Sequence, residues 1–242
     1  LSGAIGNPRP TGFVDKAEFG SALNGVSFGL VPDGSANGRI FPNQTTTLGA
    51  ENNGPKFGPV LISEILYDPD VAFGQDPNDL EFIEIHNSGI RAVILTNGRI
   101  RGGVDFNFPT GTTLGPNQTQ AILSFDPTDT FNADKVLLFE KTYGVKIDAR
   151  FLGGYSGNLA DTGERISLHM SDKPPQEDPR LIPRPLHDEV RYATSTPWTL
   201  VKGTAKSLTR IEPGRYGHDS SSWNIDEPTP GQHGTPSPDT DF

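Results

Sequence analysis

Two stretches of the chain alternate apolar and polar residues with the period of two that marks a strand. They are VLISEILY (60–67) and LEFIEIHN (80–87). In the second, Leu80, Phe82, Ile83 and Ile85 interleave with Glu81, Glu84 and His86, with one slip. Alternation bounded by Asp, Pro, Asn and Gly predicts strands with one buried face. Further candidates are AVIL (92–95), VDFNF (104–108), TQAILSF (119–125), RISLHM (165–170), EVRYA (189–193), KSLTRI (206–211) and SSWNI (221–225). Turn-rich runs such as FPTGTTLGPNQ, GGYSGNLADTGE and IEPGRYG separate them. Strands at this spacing predict a sandwich or barrel. One segment breaks the pattern: ADKVLLFEKTYG (133–144) reads as a short helix, with Asp126, Asp129 or Asn132 as caps and Gly144 to close it. Residues 172–187 hold five prolines, which excludes a central strand or a helix and predicts a long surface loop.

The chain before Val60 is looser. GNPRP, PDGSANGR and GAENNGPKFGP surround two short apolar pieces, GFVDKAEF and GVSFGLV. This region also carries an imperfect repeat of the C-terminal part. VDKAEFGSALNGVSFGLVPDG (14–34) parallels HDEVRYATSTPWTLVKGTAKSLTRIEPG (187–214), with Phe19 matching Tyr192 and Ser27-Phe28 matching Ser207-Leu208. Phe41 precedes Thr47-Leu48-Gly49 by the interval that separates Trp223 from Thr229-Pro230-Gly231. The expected organisation is therefore a partial repeat and linker at 1–57, a sandwich at 58–234 and a linker tail at 235–242.

Composition narrows the class. The 28 Gly and 22 Pro make up about a fifth of the 242 residues, which argues against a helical bundle. The 14 Phe, 5 Tyr and 2 Trp are enough to build a core and argue against plain disorder. Without cysteine there are no disulfides, thiolates or zinc fingers. A net charge of −10 disfavours a nucleic-acid partner, whose phosphates need a basic surface. No apolar run approaches the ~18 residues of a membrane helix, so no membrane insertion is expected. The opening LSGAIGNPRP shows no secretion signal.

With the strands in order, the segment from Val60 to Gly231 resembles a lamin-tail domain of the bacterial, secreted kind. VLISEILYDPD is similar to the family's first strand and Tyr-x-Pro turn. DLEFIEIHNSG resembles its Glu-Phe/Tyr-Ile-Glu-Leu-x-Asn strand, with Ile85 and His86 where Leu and Tyr are common. FNFPTGTTLGPNQ is similar to its Phe-Pro-x-Gly-Thr-x-Leu-x-Pro-Gly turn, with Asn117 for Gly. FEKTYG, YSGNLADTGERISL, Pro197-Trp198, SLTR (207–210) and SSSWNIDEPTPG (220–231) follow in family order. Residues 14–52 resemble the last strands of a preceding domain of the same kind. The resemblance implies an all-β, immunoglobulin-like β-sandwich of about eight to ten strands, with the one short helix near 132–143. It also implies a place in a large secreted or cell-surface bacterial protein, and it brings no catalytic residues with it.

Gly154-Tyr155-Ser156-Gly157-Asn158 lacks the final Gly of a nucleophile elbow and reads as a turn. No phosphate-cradling glycine motif is present. His86 and His169 fall on the polar phase of their strands and are expected to face solvent. Glu81 and Glu84 should point to opposite faces, with Glu64 able to neighbour either. Asn43 and Asn117 begin NQT sequons, read as polar turns. Trp198 and Trp223 offer a sugar-stacking pair but stand where packing is expected. The strongest cluster is DPDVAFGQDPNDLE, with Asp68, Asp70, Asp76, Asp79 and Glu81 within 14 residues. Such oxygens suit a calcium ion, although Phe73 and Asp79 occupy the places where an EF-hand needs Gly and Glu.

The leading expectation is a non-catalytic structural or interaction module rather than an enzyme. Its partners would be neighbouring domains of the same chain, and glycans or other surface polymers, with self-association through residues 14–52. The alternatives are a calcium-dependent carbohydrate-binding module attached to a polysaccharide-active enzyme and, behind it, a small hydrolase.

Overall fold

The computed structural model describes residues 19–31, 39–198, 201 and 203–232. The piece at 12–18, the turn at 32–38 and the expected tail at 235–242 lie outside the described residues. The chain divides into two compact units, Leu1–Lys56 and Phe57–Phe242.

In the first unit, β1 (Phe28–Val31) and β2 (Arg39–Pro42) form an antiparallel hairpin, with Gly29 opposite Phe41. Asn43 anchors the chain that follows. Its Nδ2 donates to Thr47 Oγ1 at 3.2 Å and to Asn52 Oδ1 at 3.2 Å.

The second unit holds β3 (Val60–Leu66), β4 (Phe82–Asn87), β5 (Val93–Ile94), β6 (Arg99–Gly102), β7 (Val104–Asn107), β8 (Thr113–Leu114) and β9 (Thr119–Leu123). After helix α1 (Ala133–Tyr143) come β10 (Phe151–Gly153), β11 (Ser156–Gly157), β12 (Gly163–His169), β13 (Leu186–Ala193), β14 (Ser207–Arg210) and β15 (Trp223–Asp226). One sheet has the order β10-β9-β4-β3-β14-β15, the other β11-β7-β6-β12-β13, and β5 pairs with β8. Within this unit only β9 and β10 run parallel among the described pairs, and α1 is the crossover between them.

The sheets pack face to face. Ile62, Ile65, Ile83, Ile85 and Ile122 of the first meet Ile100, Phe106, Ile166, Leu168 and Val190 of the second. The result is the all-β sandwich with one short helix that the pattern predicts. Strands β6, β8, β10 and β11 add to those expected, because runs of two to four residues are too short to show alternation. β13 begins at Leu186, three residues before its expected start. The proline-rich excursion before it carries no strand and closes on itself through Asp172 N–H to Pro183 O (2.9 Å) and Met170 N–H to Pro185 O (3.2 Å).

The expectation of one buried face per strand is corrected for β3 and β4, which are buried along their whole length. Helix α1 lies on the outer face of their sheet. Phe139, fully buried, meets Phe82 (6.1 Å), Phe125 (6.4 Å) and Phe151 (6.0 Å) edge-on. Leu66, Phe82, Ala121 and Leu123 point into this second core. The slip at Phe82-Ile83 is thus no irregularity: Phe82 faces the helix and Ile83 the sandwich interior. Gly144 ends α1 at φ 64°, a conformation glycine adopts freely. Asp129 caps the single turn ahead of the helix by accepting from Phe131 N–H at 2.9 Å, while Asn132, at the N-cap, makes no side-chain capping bond.

Candidate functional site

The outer face not covered by α1 is polar. Pairing of β3 with β4 places Glu64 directly opposite Glu84, and a bulge between Ile62 and Glu64 leaves Ser63 out of register. Both carboxyl groups are buried, with Glu84 at 0% exposure. Ser63 Oγ donates to Glu84 Oε1 (2.7 Å), and Ser207 Oγ donates to Glu64 Oε1 (2.5 Å). The chain after β15 crosses over both. Thr229 donates its N–H and Oγ1 to Glu64, each at 2.9 Å, and Gly231 N–H donates to Glu84 at 2.8 Å. Arg150 Nη1 holds Gly231 O from the far side at 3.0 Å. Residues 227–232 thereby form a strap across β3, β4 and the start of β10.

Burial favours the neutral acid. It raises the Glu64 carboxyl above the ordinary range and pushes Glu84 up to about 8, with the Glu64 charge as the next cause. Glu81 points the opposite way, as its phase predicts. It accepts from Leu159 N–H (2.9 Å) and Tyr155 Oη (3.4 Å), and burial pushes it up to about 7.

A fourth acid joins the sheets. Asp188 of β13 meets Arg210 of β14 at 3.0 Å, both side chains being fully buried. Asp188 Oδ2 also accepts from Ile62 N–H (2.9 Å), and Arg210 Nη1 donates to Ile62 O (3.1 Å). Pairing between β14 and β3 covers Glu64 and Ile65 but not Ile62, so the ion pair satisfies the Ile62 backbone. Arg210 also lies over the Trp223 ring, 5.1 Å from its centroid.

The acidic loop is dispersed. Asp68 accepts from Gly203 N–H at 2.5 Å, and Asp76 caps the turn Pro77–Asp79 through Asn78 N–H. Asp79 pairs with Lys135 of α1 at 2.6 Å, Glu81 is turned into the sandwich, and Asp70 is exposed. Among the described residues, no three His, Cys, Asp or Glu side chains gather as a metal site.

The histidines differ from expectation. His86 is buried, not solvent-facing, with Nδ1 at 3.1 Å from Thr119 Oγ1, because the outer face is covered. His169 is also drawn in, its ring nitrogens 3.1 Å from Arg184 O and Ser167 Oγ. Trp223 is buried and Trp198 partly so, 6.5 Å apart, a packed pair rather than a platform.

A groove of about 580 Å³ opens between the end of the strap, the β8–β9 turn and the segment before β10. Thr113, Leu114, Asn117, Gln118, Thr119, Gln120, Ala149, Arg150, Gly231 and Gln232 line it. Sequence reasoning missed the groove, whose residues are spread over 120 positions. It left Glu64 able to neighbour Glu81 or Glu84, and strand register selects Glu84, the Glu set between isoleucines in Ile-Glu-Ile as Glu64 is in Ile-Ser-Glu-Ile. Compared with protein-family models and with curated proteins, the chain matches none.

Proposed function

We propose that the second unit is a non-catalytic structural or interaction module of a larger secreted or cell-surface bacterial protein, of the lamin-tail kind. The observation that carries this reading is what the buried acids do. Glu64, Glu84, Glu81 and Asp188 each accept a backbone N–H from a distant segment: Thr229, Gly231, Leu159 and Ile62. Carboxyl groups so engaged brace a scaffold, whereas a glycosidase acid and its partner must flank a substrate cleft. The ordered motifs support the family, since they supply β3, β4, the β8–β9 turn, α1, β12 and the β14–β15 pair.

The test is turnover. The full chain, incubated with polysaccharide, ester, peptide and phosphodiester substrates, is expected to release no product. Product release abolished by Glu84→Gln or Glu81→Gln would overturn the reading.

A further inference from the structure

The groove beside β9 is built rather than incidental. Thr119 and Gln120 form its floor and are 8% and 5% exposed. Gln120 Nε2 is fixed to Ala149 O (2.9 Å), and Gln118 Oε1 accepts from Gly115 N–H (2.7 Å). The β8–β9 turn is held by Asn87, whose Nδ2 reaches Leu114 O (2.9 Å) and Gly115 O (3.0 Å). Arg150 is clamped by Asp148 through Nε at 3.0 Å and Nη2 at 2.9 Å, and ties the strap through Gly231 O. A site held in shape before binding loses less entropy when a ligand arrives.

The lining chemistry selects a ligand class. Asn117, Gln118, Gln120 and Gln232 bring carboxamides, those of Gln118 and Gln120 already engaged through Oε1 and Nε2, Thr113 brings a hydroxyl, and Arg150, the one cation among the described lining residues, is balanced by Asp148. Carboxamides and hydroxyls both donate and accept, which matches a ligand whose groups do the same. A phosphate or carboxylate calls for an uncompensated cation, and a lipid for a run of large apolar side chains, whereas Leu114 is the one large apolar residue among the described lining residues. The volume falls within the roughly 300–1,000 Å³ of small-molecule sites. We propose that this groove binds an uncharged oligosaccharide segment. The proposal rests on the interaction-module reading and gives that module a ligand class and a site.

The test is a titration of ¹⁵N-labelled full chain, followed by amide shifts, with neutral hexaoses of glucose, xylose, mannose and N-acetylglucosamine. Hexagalacturonate is the charged comparison. At least one neutral series is expected to give saturable shifts confined to 113–120, 149–150 and 231–232. Gln232→Ala and Thr113→Val change exposed rim side chains, and each is expected to weaken binding about five- to tenfold, the worth of one hydrogen bond. No saturable shift, shifts elsewhere, binding of hexagalacturonate alone, or variants that bind like the parent would each overturn the proposal. Recovery of the oligosaccharide separates the two readings. A cleaved sugar would overturn the non-catalytic reading and leave the groove assignment standing, whereas failure of every sugar to bind overturns the groove alone.

Discussion

Removing Asp188 should be among the most damaging single changes in the second unit. Asp188→Ala strips a fully buried guanidinium of its counter-ion and leaves Ile62 N–H without its acceptor. Breaking a buried pair costs about 3–5 kcal/mol, and an orphaned N–H about 1–3, the two overlapping because they share one carboxylate. The expected loss is about 5 kcal/mol, a third or more of a typical domain's stability. Asp188→Asn keeps an acceptor for Ile62 and loses only the charge, so about 3 kcal/mol is expected. Arg210→Met leaves an acid that burial already raises, now without the cation that opposes it. That acid takes up a proton, so the variant should be less destabilised at low pH than at high pH. Asp188→Leu with Arg210→Met removes both buried charges but still leaves Ile62 N–H and C=O without these partners, so it should recover only the charge part of the loss and stay below the sum of the two single variants. The assay is urea unfolding followed by tryptophan fluorescence, since both tryptophans, Trp198 and Trp223, lie in the second unit. An Asp188→Ala variant within about 1 kcal/mol of the parent, or a double variant as unstable as the sum of the singles, would refute the reasoning.

Further outcomes follow from the same geometry. Glu81 and Glu84 are raised to about 7 and about 8, so the folded chain holds protons that the unfolded chain has released. Their stabilisation is full below pH about 4.5 and is lost as pH rises through 7 to 8, Glu81 alone accounting for about 3 kcal/mol. His187, which burial pushes down to about 4, acts oppositely, its share being lost as pH falls from 6.5 through 4. Two carboxyl groups outweigh one imidazole above pH about 4.5, so melting temperature should peak near pH about 4, Glu84→Gln should flatten its alkaline fall, and a peak at or above pH about 7 would contradict this. Phe139→Ala, at the centre of the helix-side core, should cost about 3–5 kcal/mol in the same urea assay. Gly58→Ala would set a Cβ 1.4 Å from His187 Nε2 and should cost about 3 kcal/mol or more. Gly144→Ala meets nothing within 4 Å and should cost only about 1 kcal/mol, for its positive φ. Equal melting temperatures for these two glycine variants would count against the packing described.

The strands were legible where side chains alternate over five residues or more, because alternation records a sheet with two distinct faces. Where both faces are covered the record blurs: Phe82 and Ile83 read as a slip although each has its own core. His86 read as solvent-facing because its polar phase is local, while the Thr119 hydroxyl that meets its ring comes from β9, 33 positions away. The helix was legible from Val136, Phe139 and Gly144, but its place on the β3–β4 face was not, since that depends on the β9–β10 crossover. Glu64 and Glu84 are 20 positions apart, and only strand register makes them neighbours. The repeat shows the same dependence. Ser27 and Ser207 both precede or open the first strand of a hairpin, yet Trp223 pairs with Arg210 while Phe41 pairs with Gly29. The two hairpins are one residue out of step with the sequence match.

The order β3-β14-β15 has a mechanical consequence. β14 is antiparallel to both neighbours, so β3 and β15 point the same way, and Asp226 lies beside Ser207, toward the Leu66 end of β3. Val60, where β3 begins, is therefore at the opposite end of the sheet from Asp226. Tension between residues 60 and 226 loads the hydrogen bonds between these strands in shear, all resisting at once, instead of peeling them one by one. A pull on Gln232 meets the strap first, and there the load falls on the Thr229–Glu64 and Gly231–Glu84 bonds. The paired carboxyl groups would then act as a fuse, yielding before the sheet does.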